Sequence, residues 1–402
     1  EPPLRCGTIS APRVPTEANA SPPMAASTPV ARGAYLARAG NCAGCHTAPG
    51  GADYAGGRAI ETPFGVVHGS NLTPDPTHGL GRWSAQDFWR AMHEGRSRDG
   101  RLLNPAFPYP SYTRITREDS DAIFAYLRTL PPQPNPNRPH ALRFPFGTPW
   151  ALAAWRALFF RPAQHIDEPG RPAAWNRGAY LVRGLGHCDG CHAERNAFGA
   201  VRDPERLAGG AVPMQPWYAP SLASMAQAGV SGWTVDETVR LLRTGRNAHA
   251  VVSGPMAKVV RHSTQYLEEA DLRAIAVYLG TLPADPPPRP VVRAAPTATG
   301  AARYREHCAD CHGEHGEGRA DAAPALAGNR AVSMPDARNL ITTMLVGGFG
   351  PSTRERPYPH GMPPFATRLD DQAVADIVNH LRGAWGNQGA PVRAQDVARL
   401  RR

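Results

Sequence analysis

Three times this chain spells Cys-x-x-Cys-His: Cys42-Ala43-Gly44-Cys45-His46, Cys188-Asp189-Gly190-Cys191-His192 and Cys308-Ala309-Asp310-Cys311-His312. Nothing else in its 402 residues narrows the possible folds as far. The spacing puts two thiols and an imidazole on one helical turn, so that two sulfurs can bond the edge of a porphyrin while the histidine reaches its centre. A zinc site needs two cysteine pairs converging on one ion and would leave each trailing histidine without a role. A thioredoxin-like redox pair is expected once, between a strand and a helix, not three times at intervals of 146 and 120 residues. The motifs therefore read as three sites of covalent haem c attachment. Cys42, Cys45, Cys188, Cys191, Cys308 and Cys311 supply the thioether sulfurs, and His46, His192 and His312 the proximal iron ligands. The seventh cysteine, Cys6, is left over, and either pairs with a partner chain or stays a thiol of the tail.

Other features recur in register with the motifs. Gly33-Ala34-Tyr35-Leu36 precedes the first and Gly178-Ala179-Tyr180-Leu181 the second, with a looser Gly300-Ala301 and Tyr304 before the third. These read as a first helix whose glycine and aromatic pack against a closing helix. That closing helix carries Ala122, Ile123, Tyr126 and Leu127 in one copy and Ala274, Ile275, Tyr278 and Leu279 in the next, each stopped by Leu-Pro. The third copy runs from Asp371 to Leu381. A middle helix is expected over 83–95, 233–245 and 336–347. The fold class expected is all-α: three tandem class I-like cytochrome c domains joined by proline-rich linkers, with little room for a sheet. The boundaries follow from composition: an extended, mobile N-terminal tail over 1–30 with seven prolines, domain one over 31–140, an aromatic bridge over 141–175, domain two over 176–282, a proline-rich linker over 283–296, and domain three with its charged tail over 297–402.

A low-spin electron-transfer haem takes a methionine sulfur opposite its histidine. Gly361-Met362-Pro363-Pro364 lies 50 residues after His312, and Gly254-Pro255-Met256 lies 64 after His192, each ahead of its closing helix. Met362 and Met256 are the expected sixth ligands. The matching loop of the first copy reads Asn104-Pro105-Ala106-Phe107-Pro108, and phenylalanine cannot ligate iron. Met92 falls on the middle helix opposite Leu242 and Met344 and reads as core. His68, His78 and His93 remain, with His68 foremost among them, and a five-coordinate or water-ligated first iron is equally open.

Composition excludes more than it identifies. The net charge is +10, but three haems would bring six propionates, and all but one of the basic side chains are arginine, Lys258 being the exception. No basic helix or finger points to nucleic acid. No run of 18 apolar residues marks a membrane-spanning helix. Thioether attachment in bacteria follows export, which makes the compartment periplasmic, and Glu1 reads as a processed or trimmed start. The bridge gathers Trp150, Leu152, Trp155, Leu158, Phe159 and Phe160 around Arg156, which fits interdomain packing or an interfacial helix lying on a membrane.

Several longer runs resemble one family. Ser70-Asn71-Leu72-Thr73-Pro74-Asp75, Asp99-Gly100 with Pro108-Tyr109-Pro110-Ser111-Tyr112, Trp175-Asn176-Arg177-Gly178-Ala179-Tyr180-Leu181, Gly254-Pro255-Met256 with His262-Ser263-Thr264-Gln265, and Met362-Pro363-Pro364-Phe365 span residues 31 to 387. The chain is similar to the three-haem cytochrome subunit of periplasmic membrane-bound dehydrogenases acting on alcohols, gluconate, sugars or aldehydes. The resemblance implies a large dehydrogenase subunit bearing flavin, pyrroloquinoline quinone or molybdenum, a small subunit, and electrons passed through the haems to membrane ubiquinone, the chain lying peripherally on the outer face of the cytoplasmic membrane. It implies no substrate turnover by this chain alone. Two departures stand out: many relatives carry methionine where Phe107 sits, and some end in a hydrophobic anchor helix where this chain ends in charge. Two rival readings are a haem peroxidase using the first iron, which hydrogen peroxide turnover would reveal, and a free-standing shuttle to a terminal oxidase, which co-purification with a dehydrogenase would exclude.

Overall fold

The computed structural model describes residues 28–284, 292–319 and 322–401; the expected tail up to residue 27, with Cys6, and residues 285–291 of the proline-rich linker lie outside them. In chain order the helices are α1 (Pro29–Ala39), α2 (Cys42–His46), α3 (Ala85–Glu94), α4 (Tyr109–Tyr112), α5 (Arg117–Leu127), α6 (Pro149–Phe159), α7 (Ala173–Tyr180), α8 (Asp189–His192), α9 (Val235–Thr244), α10 (Gly254–His262), α11 (Glu269–Leu279), α12 (Ala298–His307), α13 (Ala309–His312), α14 (Arg330–Ser333), α15 (Arg338–Val346), α16 (Asp371–Gly383) and α17 (Ala394–Ala398). Their starts are set chemically. Thr28, Thr116, Thr148 and Thr297 each accept a first-turn N–H, Asp370 does so through its carboxylate, and Ser84 with Asp87 and Thr234 with Glu237 form reciprocal capping boxes.

The all-α expectation needs one correction. Strands β1 (Ala59–Thr62) and β2 (Gly65–His68) form an antiparallel hairpin, joined by β3 (Ala141–Leu142), and two-stranded pairs β4–β5 (Gly210–Ala211, Tyr218–Ala219) and β6–β7 (Gly348–Phe349, Gly361–Met362) follow. Ile60, Val66 and Val67 are β-branched, and β1 alternates exposed and half-buried residues, so this stretch pairs rather than coils. The fold is mostly helical with these short sheets.

The described chain divides into two compact units. One comprises residues 28–205 and 262–278, the other 206–261 and 279–401. In the first unit α1 crosses α5 and α7 crosses α11, each at a glycine. A β-carbon on Gly33 would stand 1.8 Å from the carbonyl oxygen of Ala122, and one on Gly178 would stand 2.0 Å from that of Ala274. Only hydrogen fits, and the backbones touch. The second unit repeats the crossing between α12 and α16, where a β-carbon on Gly300 would stand 2.5 Å from the Asp376 carbonyl oxygen. Its core gathers Ile341, Met344, Leu345, Phe365, Val374 and Ile377.

The first-helix copies differ by one residue. Tyr35 precedes Cys42 by seven positions, Tyr180 precedes Cys188 by eight, and the extra residue is absorbed as a π-helical turn over Leu181–Leu185. The turn returns the second motif to the register of the first.

Candidate haem-binding sites

All three motifs fold as short helical turns, α2, α8 and α13, each entered directly from the first helix of its repeat. Burial pushes the thiols of Cys42, Cys188 and Cys308 up to about 12, so these sulfurs are protonated in apolar surroundings. Desolvation by the surrounding chain also raises Cys45 and Cys191, although both side chains reach the surface. The same desolvation lowers His46 and His312, leaving both imidazoles neutral, the form that ligates iron.

A repeated clamp orients these rings. His46 Nδ1 donates to the carbonyl of Ser70 at 2.7 Å, and His312 Nδ1 to that of Pro324 at 2.9 Å, which frees Nε2 for a metal. The backbone of each histidine is held in turn: Gly56 N–H donates to the His46 carbonyl and Gly318 N–H to the His312 carbonyl, both at 2.7 Å. Gly56 and Gly318 adopt positive φ, and a β-carbon on either would lie 2.6 Å from the next amide nitrogen, of Asn71 or Ala325. Gly209 meets Ser221 N at the same 2.6 Å. Each of these three residues is followed by leucine (Leu72, Leu222, Leu326). Of the two clamp runs only Ser70-Asn71-Leu72 is singled out by the sequence; its alignment with Pro324-Ala325-Leu326 exposes the clamp. Two cysteines, a neutral histidine and a carbonyl orienting its far nitrogen are the donor set covalent haem c requires, and these residues fit it.

The first two motifs adjoin. Gly40 packs on Leu185, and Tyr112 Oη donates to the Gly40 carbonyl while its ring meets His187 edge-on at 5.6 Å. Ser111 Oγ donates to the Asp189 carboxylate at 3.1 Å, and Ser263 Oγ donates to the Ala39 carbonyl at 3.1 Å. Burial raises Cys191 first, with Asp189 and Cys45 among the neighbours that add to it. The Pro-Ser-Tyr and His-Ser-Thr-Gln runs, which carry no redox chemistry of their own, thus furnish the contact surface between two attachment turns.

Met362 on β7 packs with Cys308 against the same hydrophobic cluster. Met256 sits in the first turn of α10, where a loop was expected. Phe107 lies 5.5 Å from the Tyr112 ring, edge to face, and the thiols of Cys42 and Cys45 in turn influence Tyr112, whose hydroxyl burial raises first. Met92 is 4% exposed on α3, and His93 stacks on Trp89. His68 ends β2 two residues before Ser70, on the side from which the His46 ring is held, and its own Nδ1 donates to the Pro139 carbonyl at 2.8 Å.

Comparison with known proteins agrees with this geometry. The cytochrome c family model matches residues 30–131 and 297–385. The chain is 39% identical to the cytochrome c subunit of alcohol dehydrogenase (quinone) from Gluconacetobacter polyoxogenes, over 95% of this chain and 86% of that one. It is 38% identical to the gluconate 2-dehydrogenase cytochrome c subunit of Pantoea cypripedii (93% and 89% covered) and 33% identical to the fructose dehydrogenase cytochrome subunit of Gluconobacter japonicus (97% and 85%).

Proposed function

The chain belongs to the cytochrome c subunits of alcohol, gluconate and fructose dehydrogenases, and from that membership we propose that it is the electron-transfer subunit of a dehydrogenase complex. It takes electrons from a partner subunit that oxidises an alcohol, aldehyde or sugar through flavin, pyrroloquinoline quinone or molybdenum, and delivers them to ubiquinone. Haem c supplies the redox chemistry, its iron alternating between ferrous and ferric states. The chain's own residues hold three such groups at the three motifs, orient His46 and His312 through Ser70 and Pro324, and offer Met256 and Met362 as sulfur donors. The first site has Phe107 in place of sulfur. The observation that carries the reading is the abutment of the first two attachment turns, which suits a relay and serves no purpose for isolated haems.

The place of action is the outer surface of the cytoplasmic membrane. Phe144, Trp150 and Leu158 are 83%, 61% and 69% exposed around α6, and Phe198 adds to them. Between Asp121 and Asp167 the chain has no acidic residue and five arginines. Exposed apolar side chains on a segment whose charged residues are all cations suit an anionic lipid headgroup layer. Among the described residues no helix is long and apolar enough to cross a membrane.

The test is purification of the native complex from membranes, expected to yield a large dehydrogenase subunit, three c-type haems per chain and substrate-driven ubiquinone reduction. A chain that purifies alone and reduces no quinone with any dehydrogenase would overturn the proposal.

A further inference from the structure

Resting on the reading of the first two motifs as haem sites, we propose that a reciprocal Arg–Asp–Tyr lock sets the spacing of those two haems and so governs electron exchange between them. Tyr35 on α1 donates to Asp271 Oδ2 on α11 at 2.6 Å, and Tyr180 on α7 donates to Asp119 Oδ2 on α5 at 2.5 Å. Each tyrosine comes from one repeat and each aspartate from the other. The arginines stay at home: Arg32 holds Asp119 at 2.6–2.7 Å, and Arg177 grips Asp271 through Nε and Nη2, both at 2.8 Å. Each phenol also accepts a backbone N–H, from Glu268 or Thr116, at 3.2 Å. All four Tyr and Asp side chains are buried. Bonds to ionised partners in such surroundings are short and directional, and leaving one unmade is costly.

The third repeat supplies an internal control. Anchored on the glycine–carbonyl crossings, Arg32 and Arg177 correspond to Thr299, Tyr35 and Tyr180 to Ala302, and Asp119 and Asp271 to Ala373. The helix crossing persists there, yet all three members of the lock are gone together. The triad is therefore dispensable for folding one repeat and present only in the two that pair.

The lock lies upstream of both attachment turns, on the helices that lead into them. From Tyr35, α1 runs to Ala39 and Gly40, whose carbonyls accept from Ser263 and Tyr112, and then to Cys42. From Tyr180 the π-turn runs to Leu185, and Gly186 and His187 lead on to Cys188. Two crossed bonds fix both separation and rotation of these helices, and with them the thiols. Tyr35 and Tyr180 are thus positioning residues.

The double variant Tyr35→Phe/Tyr180→Phe keeps both rings and both Arg–Asp pairs and removes only the crossing bonds. With three haems per chain verified by pyridine haemochrome, the fully oxidised variant is expected to lose the dipolar coupling between its first two ferric haems in electron paramagnetic resonance. Electron equilibration between them after flash reduction is expected to slow several-fold. Arg273→Gln, which removes an exposed pair with Glu269 on the same helix α11, is expected to change neither. A merely structural role predicts lower stability with coupling and equilibration as in the native protein, and that result overturns the lock. Should the double variant not mature, the single variants Tyr35→Phe and Tyr180→Phe each keep one crossing bond and face the same two measurements. A native protein without haem at the first two motifs would instead overturn the functional reading itself, a failure the haem count separates from failure of the lock.

Discussion

The carbonyl oxygen of Ala122 occupies the space where a β-carbon of Gly33 would be, 1.8 Å away. Methyl insertion there must push α1 off α5 or tilt both. Overpacking of this kind costs about 1–3 kcal/mol. Gly33→Ala is expected to lower the denaturant midpoint with unchanged slope, and Gly178→Ala, against Ala274 at 2.0 Å, to do the same. Gly300→Ala, with 2.5 Å to the Asp376 carbonyl, is expected to cost least. Equal effects at all three positions would contradict this ranking.

Replacement of both Cys188 and Cys191 by alanine removes the sulfurs of one motif and leaves those of the others untouched. The expected product carries one haem fewer by mass and haemochrome, with the remaining absorbance unchanged in shape. Because a bound porphyrin would supply apolar contacts to a small helical repeat, the melting temperature is expected to fall as well. Loss of more than one haem would mean that maturation of the motifs is coupled.

Much of this was legible in the sequence. The motifs and the apolar periodicity placed the first, middle and closing helices to within a few residues, because those signals are local. The hairpin at 59–68 was not seen, since four-residue strands leave little periodicity to read. Tyr35 was expected to pack on a closing helix, without the sequence saying which copy's. The glycine two residues earlier meets that of its own repeat, while the tyrosine crosses to Asp271. A contact over 236 positions has no local signature. It did leave an indirect one: Arg-Gly-Ala-Tyr in two copies against Thr-Gly-Ala-Ala in the third, a difference that reads as loose repetition until the partner is known.

Helix α6 presents two faces with opposite expected behaviour. Phe160 is buried against Tyr109 at 4.8 Å with Arg156 over both rings, and Trp155 Nε1 donates to the Phe198 carbonyl at 2.9 Å. Substituting those two side chains should lower stability. Phe144, Trp150 and Leu158 point outward, and each offers about 1.5–3 kcal/mol of transfer energy to a lipid interface. The triple change of these three to serine is expected to abolish sedimentation with vesicles containing anionic phospholipid while all haems remain. Binding by the native chain should weaken with added salt, since the arginine rim is screened. If the triple variant still sediments but no longer joins the dehydrogenase, the patch is a subunit interface.

The first haem is expected to differ from the other two. Phe107 stands where Met362 stands in the third repeat, packed edge-on to Tyr112 at 5.5 Å beside the first pair of cysteines. His68 lies on the side from which His46 is held, with its Nδ1 already committed to Pro139. Without a sulfur donor the first haem's potential should lie below the others by on the order of 100 mV, since methionine is the ligand that raises it. The oxidised protein should give a high-spin ferric signal, or a low-spin signal of two nitrogen ligands, from one haem in three. Phe107→Met exchanges an aromatic for a flexible side chain with a sulfur in reach of the same space. It should convert that signal to methionine–histidine character and raise the potential, leaving the other two sites unchanged. Met256→Ala and Met362→Ala should each disturb one haem only, and His68→Ala should leave all three spectra as they were. Loss of a two-nitrogen signal in His68→Ala would identify His68 as the ligand after all. Three methionine–histidine haems in the native protein would instead move Met92 from the core to the iron, a possibility that Met92→Leu tests directly: a core role costs under about 1.5 kcal/mol and no spectral change, whereas a ligand role abolishes the first haem's low-spin signal.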